Sequence, residues 1–143
     1  MAQSASALNG ILVVDKPGLT ETYVPRAADS TVPEPKFLTS HDVVQRVRRW
    51  SRQRRIGHTG TLDPMASGVL VLCLGQSTRL VEYYQGHAKQ YFAEITLGTA
   101  TDTYDALGKV TETRPVPPLD HATVEAAVAQ FRGELLQTPP VFS

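Results

Sequence analysis

The sequence predicts a mixed α/β (α+β) domain in which a largely antiparallel sheet is flanked by helices. Three observations carry this expectation. Short apolar runs of strand length alternate with stretches of helical periodicity, and glycine- and proline-rich segments separate them. Residues 89–97 alternate with the two-residue period of a half-buried strand. The chain of 143 residues suits one domain, and a chain of that size buries roughly 68–70% of its unfolded surface.

The elements follow in order. GILVVD, residues 10–15, has the length and composition of a strand. Residues 17–37 contain Pro17, Pro25, Pro33 and Pro35 without periodicity, and read as an unusually long surface loop. Thr39 or Ser40 then caps a helix whose apolar face is Val43, Val44, Val47 and Trp50. Asp42 in its first turn and arginines in its last both suit the helix dipole. Residues 69–74 read as a buried strand, and residues 77–84 as a short helix. Tyr91, Ala93, Ile95 and Leu97 share one face of the alternating stretch, opposite Gln90, Phe92, Glu94 and Thr96. Gly98 and the threonine-rich TATDTYDALG end that strand, and residues 109–112 return antiparallel. After RPVPP, Asp120 caps a last helix with Val124, Ala127, Val128 and Phe131 on one face and Gly133 at its end. The chain stops at TPPVFS without a completed element, which reads as a fold incomplete at its C-terminus.

Composition narrows the function classes. A content of 41% hydrophobic and 20% charged residues is that of a soluble globular protein. The longest apolar run, residues 69–74, is far below the roughly 20 residues that span a bilayer. No charged and then apolar leader opens the chain, so the cytoplasm is expected. The single cysteine, Cys73, excludes an internal disulfide and reads as a small buried apolar residue. Formal net charge is zero, yet Arg46, Arg48, Arg49, Arg52, Arg54 and Arg55 fall within ten positions that hold no acid. That run is both a solvated helix end and a candidate phosphate-binding surface.

The densest chemistry lies in GHTGTLDPMASGVL, residues 57–70. Two readings of Asp63 stand side by side. It caps a single helical turn, with Pro64 at the first helical position and Gly57 and Gly60 supplying positive φ. Alternatively it is a reactive carboxylate, ionised at neutral pH and able to meet an electron-poor carbon without an activating base. Other chemistries fit poorly. His58 and Asp63 are the only good metal-ligand types in the segment, Ser67 lacks the nucleophile-elbow setting, and no lysine completes a phosphate loop. Asp102 and Asp105 lack the alternation of a calcium loop.

The motif as a whole resembles the signature of the TruB-type tRNA pseudouridine synthases, G-H-x-G-[TA]-L-D-P-x-A-[ST]-G. NGILVVDKP, LTSHDVVQRVRR, KQYFAEITLGTATDTYDALGKV and QFRGELLQTPPVFS resemble further segments of that family, in its order. The resemblance covers nearly all of the chain outside residues 21–37, where an insertion separates the Asp-Lys-Pro turn from Thr39-Ser40. It implies a pseudouridine-synthase-like fold and an isomerase that converts the T-loop uridine of tRNA (uridine-55) to pseudouridine. The base leaves C1′ of the ribose, turns, and rejoins through C5. Asp63 matches the catalytic aspartate, acting as nucleophile or through a glycal intermediate. Tyr91 matches the active-site tyrosine expected to stack on the base, and His58 the histidine that contacts the T-loop. Lys16 and Asp105 match positions taken as substrate contacts, and the six arginines are expected to meet RNA phosphates.

The resemblance implies no metal or other cofactor, and the expected partner is the T-arm of tRNA, with no membrane and no obligate protein partner. Residues 1–143 correspond to the N-terminal portion of the catalytic domain. The family's later G-T-Y-x-R element is absent, so the chain by itself is expected to be poorly active. Other readings stay open: a pseudouridine synthase acting on rRNA or with a guide RNA, and a non-catalytic RNA-binding or RNA-folding module.

Overall fold

A computed structural model describes residues 8–19 and 37–138. Of the long loop expected at residues 17–37, residues 20–36 lie outside the described residues, as do 1–7 and 139–143. The chain divides into two compact units, and the boundary in this part of the sequence falls between Tyr91 and Phe92.

In the first unit, β1 (Gly10–Lys16), α1 (Ser40–Ser51), β2 (Ile56–His58) and β3 (Gly68–Leu74) follow in order. A 3₁₀ turn (Gly75–Leu80) leads into α2 (Val81–Gln85), where the sequence predicts one short helix. The sheet order is β1-β3-β2 and both pairings are antiparallel. β3 is central because it is the most apolar run, and its Leu70, Leu72 and Leu74 bury one face. Val43 and Val44 of α1 and Ile56 of β2 complete the core, with Leu12, Val14, Val47 and Leu62 packed against it. Cys73 is fully buried, as its setting predicts.

α1 begins with a capping box, in which the Thr39 hydroxyl accepts from Asp42 N at 3.0 Å and the Asp42 carboxylate accepts from Thr39 N at 2.9 Å. Thr39 is therefore the cap, and Ser40 is the first helical residue. The helix ends at Arg52, which adopts the left-handed conformation at φ 53°. Its expected apolar face is only partly realised: Val43 and Val44 are buried, but Trp50 is 72% exposed. Gly57 and Gly60 do not adopt positive φ, whereas Gly68, at the end of the motif, does at 125°.

In the second unit, β4 (Thr99–Thr101) pairs antiparallel with β5 (Val110–Thr113). The return strand is the predicted one, but its partner is not. Residues 89–97 form no strand, and Phe92 is 97% exposed. A strand needs a ladder neighbour and a face to bury, and this stretch has neither among the described residues. The last helix, α3 (His121–Ala129), is capped by Asp120, whose carboxylate accepts from Thr123 N at 2.8 Å. It stops short of Gly133, and Val124, Val128 and Phe131 on its expected apolar face are exposed.

The capping box yields a pH-dependent prediction. Hydrogen bonds from the Thr39 hydroxyl and amide hold the Asp42 carboxyl below the ordinary carboxylate range. Its stabilisation is therefore complete above that range and is lost as pH falls through the depressed folded-state value. Thr39→Ala should lower stability at neutral pH by about 1 kcal/mol. The advantage of the parent over Asp42→Ala should shrink between pH 7 and about pH 3 in urea titrations; an advantage that persists at the lower pH contradicts the box.

Candidate active site

The segment around Asp63 is held by main-chain contacts from two sides. On one side is Lys16, the last residue of β1. The register pairs Lys16 with Gly68, which brings its amine beneath the turn that precedes β3. The side chain is fully buried, at 0% exposure. Its Nζ donates to the carbonyls of Ala66 at 2.7 Å, Pro64 at 2.9 Å, and Asp63 and Pro17 at 3.2 Å. Three ammonium protons are thus shared among four oxygens. Burial pulls the amine below the ordinary lysine range, and the Asp63 carboxylate opposes that pull.

The chain after Lys16 reinforces the contact. Leu19 N donates to Met65 O at 2.8 Å. Gly18 lies so close to the turn that a Cβ there would collide with the Met65 carbonyl and the Ser67 amide. Only glycine fits at that approach. On the other side stands Ser40, 2% exposed. Its hydroxyl accepts from Leu62 N at 2.9 Å and donates to Leu62 O at 3.1 Å. Leu62 itself packs against the core.

Between these supports the chain makes a β-turn, not the helical turn that an N-cap reading of Asp63 predicts. Ala66 N donates to Asp63 O at 3.0 Å, with Pro64 at the second position, where its fixed φ suits the turn. Backbone alone closes the turn. The Asp63 carboxylate takes no hydrogen bond among the described residues, and the residue is exposed. The arrangement is an immobile main chain presenting a solvent-facing acid, a geometry suited to stabilising positive charge that develops on a ligand.

The other predicted residues divide. Lys16, expected as a substrate contact, is fully buried, with its amine donating to four carbonyls. His58 ends β2 opposite Leu72, and its Nδ1 is buried with no hydrogen-bond partner. Thr59, buried beside it, donates its amide to Val71 O at 3.0 Å and fixes the strand end. Tyr91 is 67% exposed in irregular chain and makes no hydrogen bond among the described residues. Asp105 belongs to the second unit. Its Oδ1 accepts from Thr103 Oγ1 and Leu107 N, both at 2.8 Å, and knits the hairpin turn between β4 and β5. Within the first unit the structure brings Lys16 and Asp63 together, and no hydrogen bond joins His58 or Tyr91 to Asp63.

Among the six arginines, Arg48 turns inward. One of its terminal nitrogens donates to Ile56 O at 3.0 Å and its Nε is buried, so it ties α1 to β2. Arg46, Arg49, Arg52, Arg54 and Arg55 are exposed. Among the described residues no group of three or more His, Cys, Asp and Glu is placed to hold a metal ion.

Sequence reasoning missed the part played by Ser40 and Gly18. A signal for Ser40 was present: a helix start needs one capping hydroxyl, and Thr39-Ser40 supplies two. Both supports are testable through the turn they hold. Lys16→Met leaves four part-buried carbonyls without their donor and should lower stability by about 1–3 kcal/mol. Ser40→Ala should cost about 1–2 kcal/mol and speed hydrogen exchange at the Leu62 amide more than in the centre of β3. Exchange that rises uniformly along the chain would show that neither side chain acts locally.

Comparison with known proteins identifies the family. The model of the TruB family pseudouridylate synthase N-terminal domain matches residues 48–143, more than half of the chain. A tRNA pseudouridine synthase B of Opitutus terrae is 43% identical over 143 residues, which is 100% of this chain and 52% of the relative. Proteins of the same name from Deinococcus deserti and Moorella thermoacetica are each 50% identical, over 78% and 77% of this chain and 36% of each relative. The chain thus spans about a third to a half of the length of these curated relatives. Its match through the Asp63 turn and onward places it without ambiguity: the chain belongs to the TruB family of pseudouridylate synthases.

Proposed function

We propose that the chain is the N-terminal portion of the catalytic domain of a tRNA pseudouridine synthase that isomerises the T-loop uridine (uridine-55), with Asp63 as the catalytic carboxylate. The observation that carries this reading is the turn itself. Ser40 and Lys16 immobilise the main chain on both sides of Asp63 and leave its carboxylate exposed, with no hydrogen bond among the described residues. Cleavage of the C1′–N1 bond develops positive character at C1′, which a fixed carboxylate stabilises, as in glycosidases. The same group serves a direct attack at C1′ or a route through a glycal. The freed base then turns and is rejoined through C5; C5 gives up its proton and N1 takes one, so product and substrate are isomers and no oxidant or reductant is needed.

The target uridine must leave its stack, at a few kcal/mol. Tyr91 is exposed and able to stack on it. His58 lies on the strand end before the turn and is assigned the T-loop contact, and Asp105, in the hairpin turn between β4 and β5, is assigned a substrate contact. Phosphates of the T-arm meet the exposed arginines. The relatives' shared name, which specifies tRNA, supports RNA of this class over rRNA.

Because the purified chain is expected to turn over slowly, the test uses single-turnover conditions, with protein in excess over a T-arm hairpin. Asp63→Asn should reduce pseudouridine formation by about 10²–10³-fold or more while RNA affinity in filter binding stays unchanged. Equal product from both proteins overturns the assignment of Asp63. If about four phosphates are contacted, log K should fall against log salt with a slope of roughly −3 to −4; a slope near zero removes the arginine surface from the reading.

A further inference from the structure

Trp50 has no structural employment that its sequence position predicts. The packed face of α1 ends at Val47, and the indole, a turn further along the same face, is 72% exposed. An isolated exposed apolar side chain is ordinary, so its surroundings decide what it does. Residues 43–62 hold six arginines and no Asp or Glu. Arg46 lies four residues before Trp50 and so on the same helix face, whereas Arg49, next to it in sequence, points to a different side of the helix. The helix then stops at Arg52, where Gln53 N donates to Arg48 O at 3.2 Å. Arg54 and Arg55 follow within five residues of Trp50 and are exposed, and Arg55 donates to Thr78 Oγ1 at 2.8 Å. None of these arginines is ion-paired among the described residues, and the nearest acid in sequence, Asp42, is engaged by the cap.

We propose that Trp50 is a stacking platform for an unpaired RNA base, set within the exposed surface of Arg46, Arg49, Arg52, Arg54 and Arg55 that neutralises the adjoining phosphates. This rests on RNA being the substrate and goes beyond it by assigning a second base contact, outside the reaction centre. An indole offers a flat face to any base, and unpaired guanidinium groups around it match the backbone charge on either side. The same surface would repel a basic protein segment and gives a purely apolar one no use for its cations. An unpaired nucleotide satisfies both parts at once.

Trp50 is the only tryptophan of the chain, so its fluorescence reports on this position alone. In the free protein the emission should be that of a solvated indole, and titration with the T-arm hairpin should quench it in step with binding measured on filters. Trp50→Ala should weaken binding about 5- to 100-fold without changing the salt slope, since no phosphate contact is removed. Trp50→Phe should recover most of that loss, and Asp63→Asn should leave the quench intact. Emission at the blue of a solvated indole means that a protein segment covers Trp50, and overturns the platform. So does RNA binding without a quench, or unaltered affinity in Trp50→Ala. Failure of any RNA to bind overturns the functional reading together with the platform, whereas loss of the quench alone leaves the function of Asp63 standing.

Discussion

One buried cation organises the region around Asp63. A lysine withdrawn from water must have its charge met by oriented oxygen atoms, because an unpaired ammonium in the interior is costly. For Lys16 those oxygens are main-chain carbonyls, three of them from the stretch between Asp63 and Ala66. The chain can offer so many carbonyls in one direction only by bending sharply, and Pro64 supplies that bend. The antiparallel register of β1 on β3 brings amine and turn together. Lysine, proline, glycine and register thus form one mutually dependent unit. Loss of any member leaves the others without their reason to adopt these positions.

This dependence explains the division of labour at Asp63. Aspartate before proline is by habit a capping residue, its carboxylate spent on backbone amides. Here the backbone closes the turn unaided and the supports are Lys16 and Ser40, so the carboxylate takes no hydrogen bond among the described residues and acts on the fold only through its charge on Lys16. An acid whose main chain is fixed by buried hydrogen bonds, and whose oxygens remain free, can meet a developing charge without first reorganising the protein. The cost of holding it in place falls on buried residues. Lys16 is one of them, a position that family resemblance marks as part of the site.

The sequence made the architecture of the first unit legible because its apolar periodicities and its packing agree. The strand at β3, the capped helix α1 and the Asp120 cap could all be read from local chemistry, since each depends on neighbours within a few residues. What could not be read depends on distant partners. The alternation of residues 89–97 encodes a face to be buried, but alternation alone does not supply a neighbouring strand, and the described chain supplies none. The motif singled out Asp63 as the candidate acid from residues within a few positions of it. The identity of its supports was not legible in that way, because Ser40 and Leu62 lie 22 residues apart and Lys16 and Ala66 lie 50 apart. Glycine was misread for a related reason: Gly57 and Gly60 look like residues chosen for positive φ, whereas the glycine that the site needs, Gly18, is chosen for the absence of a side chain against a distant turn.

The arginine run shows how one stretch of like charge divides between fold and surface. Arg48 can point inward because its guanidinium finds the Ile56 carbonyl, and the long apolar stem of an arginine packs well while it does so. That contact holds β2, and with it His58, against the end of α1. Once Arg48 is committed, the remaining five arginines are exposed and none forms an ion pair among the described residues, although Asp42 lies near enough to Arg46 for their charges to interact. Self-repulsion among them is unfavourable in the free protein, and the helix dipole at the end of α1 offsets only part of it. Such an arrangement is stabilised when a polyanion arrives and its counterions are released. An exposed indole in the same place adds a contact that charge alone does not make, one that depends on a flat unpaired base and not on the number of phosphates. On the proposed reading the surface would carry two separable signals, a salt-dependent one from the arginines and a salt-independent one from Trp50, and the ligand that answers both is a nucleic acid with at least one base out of its stack.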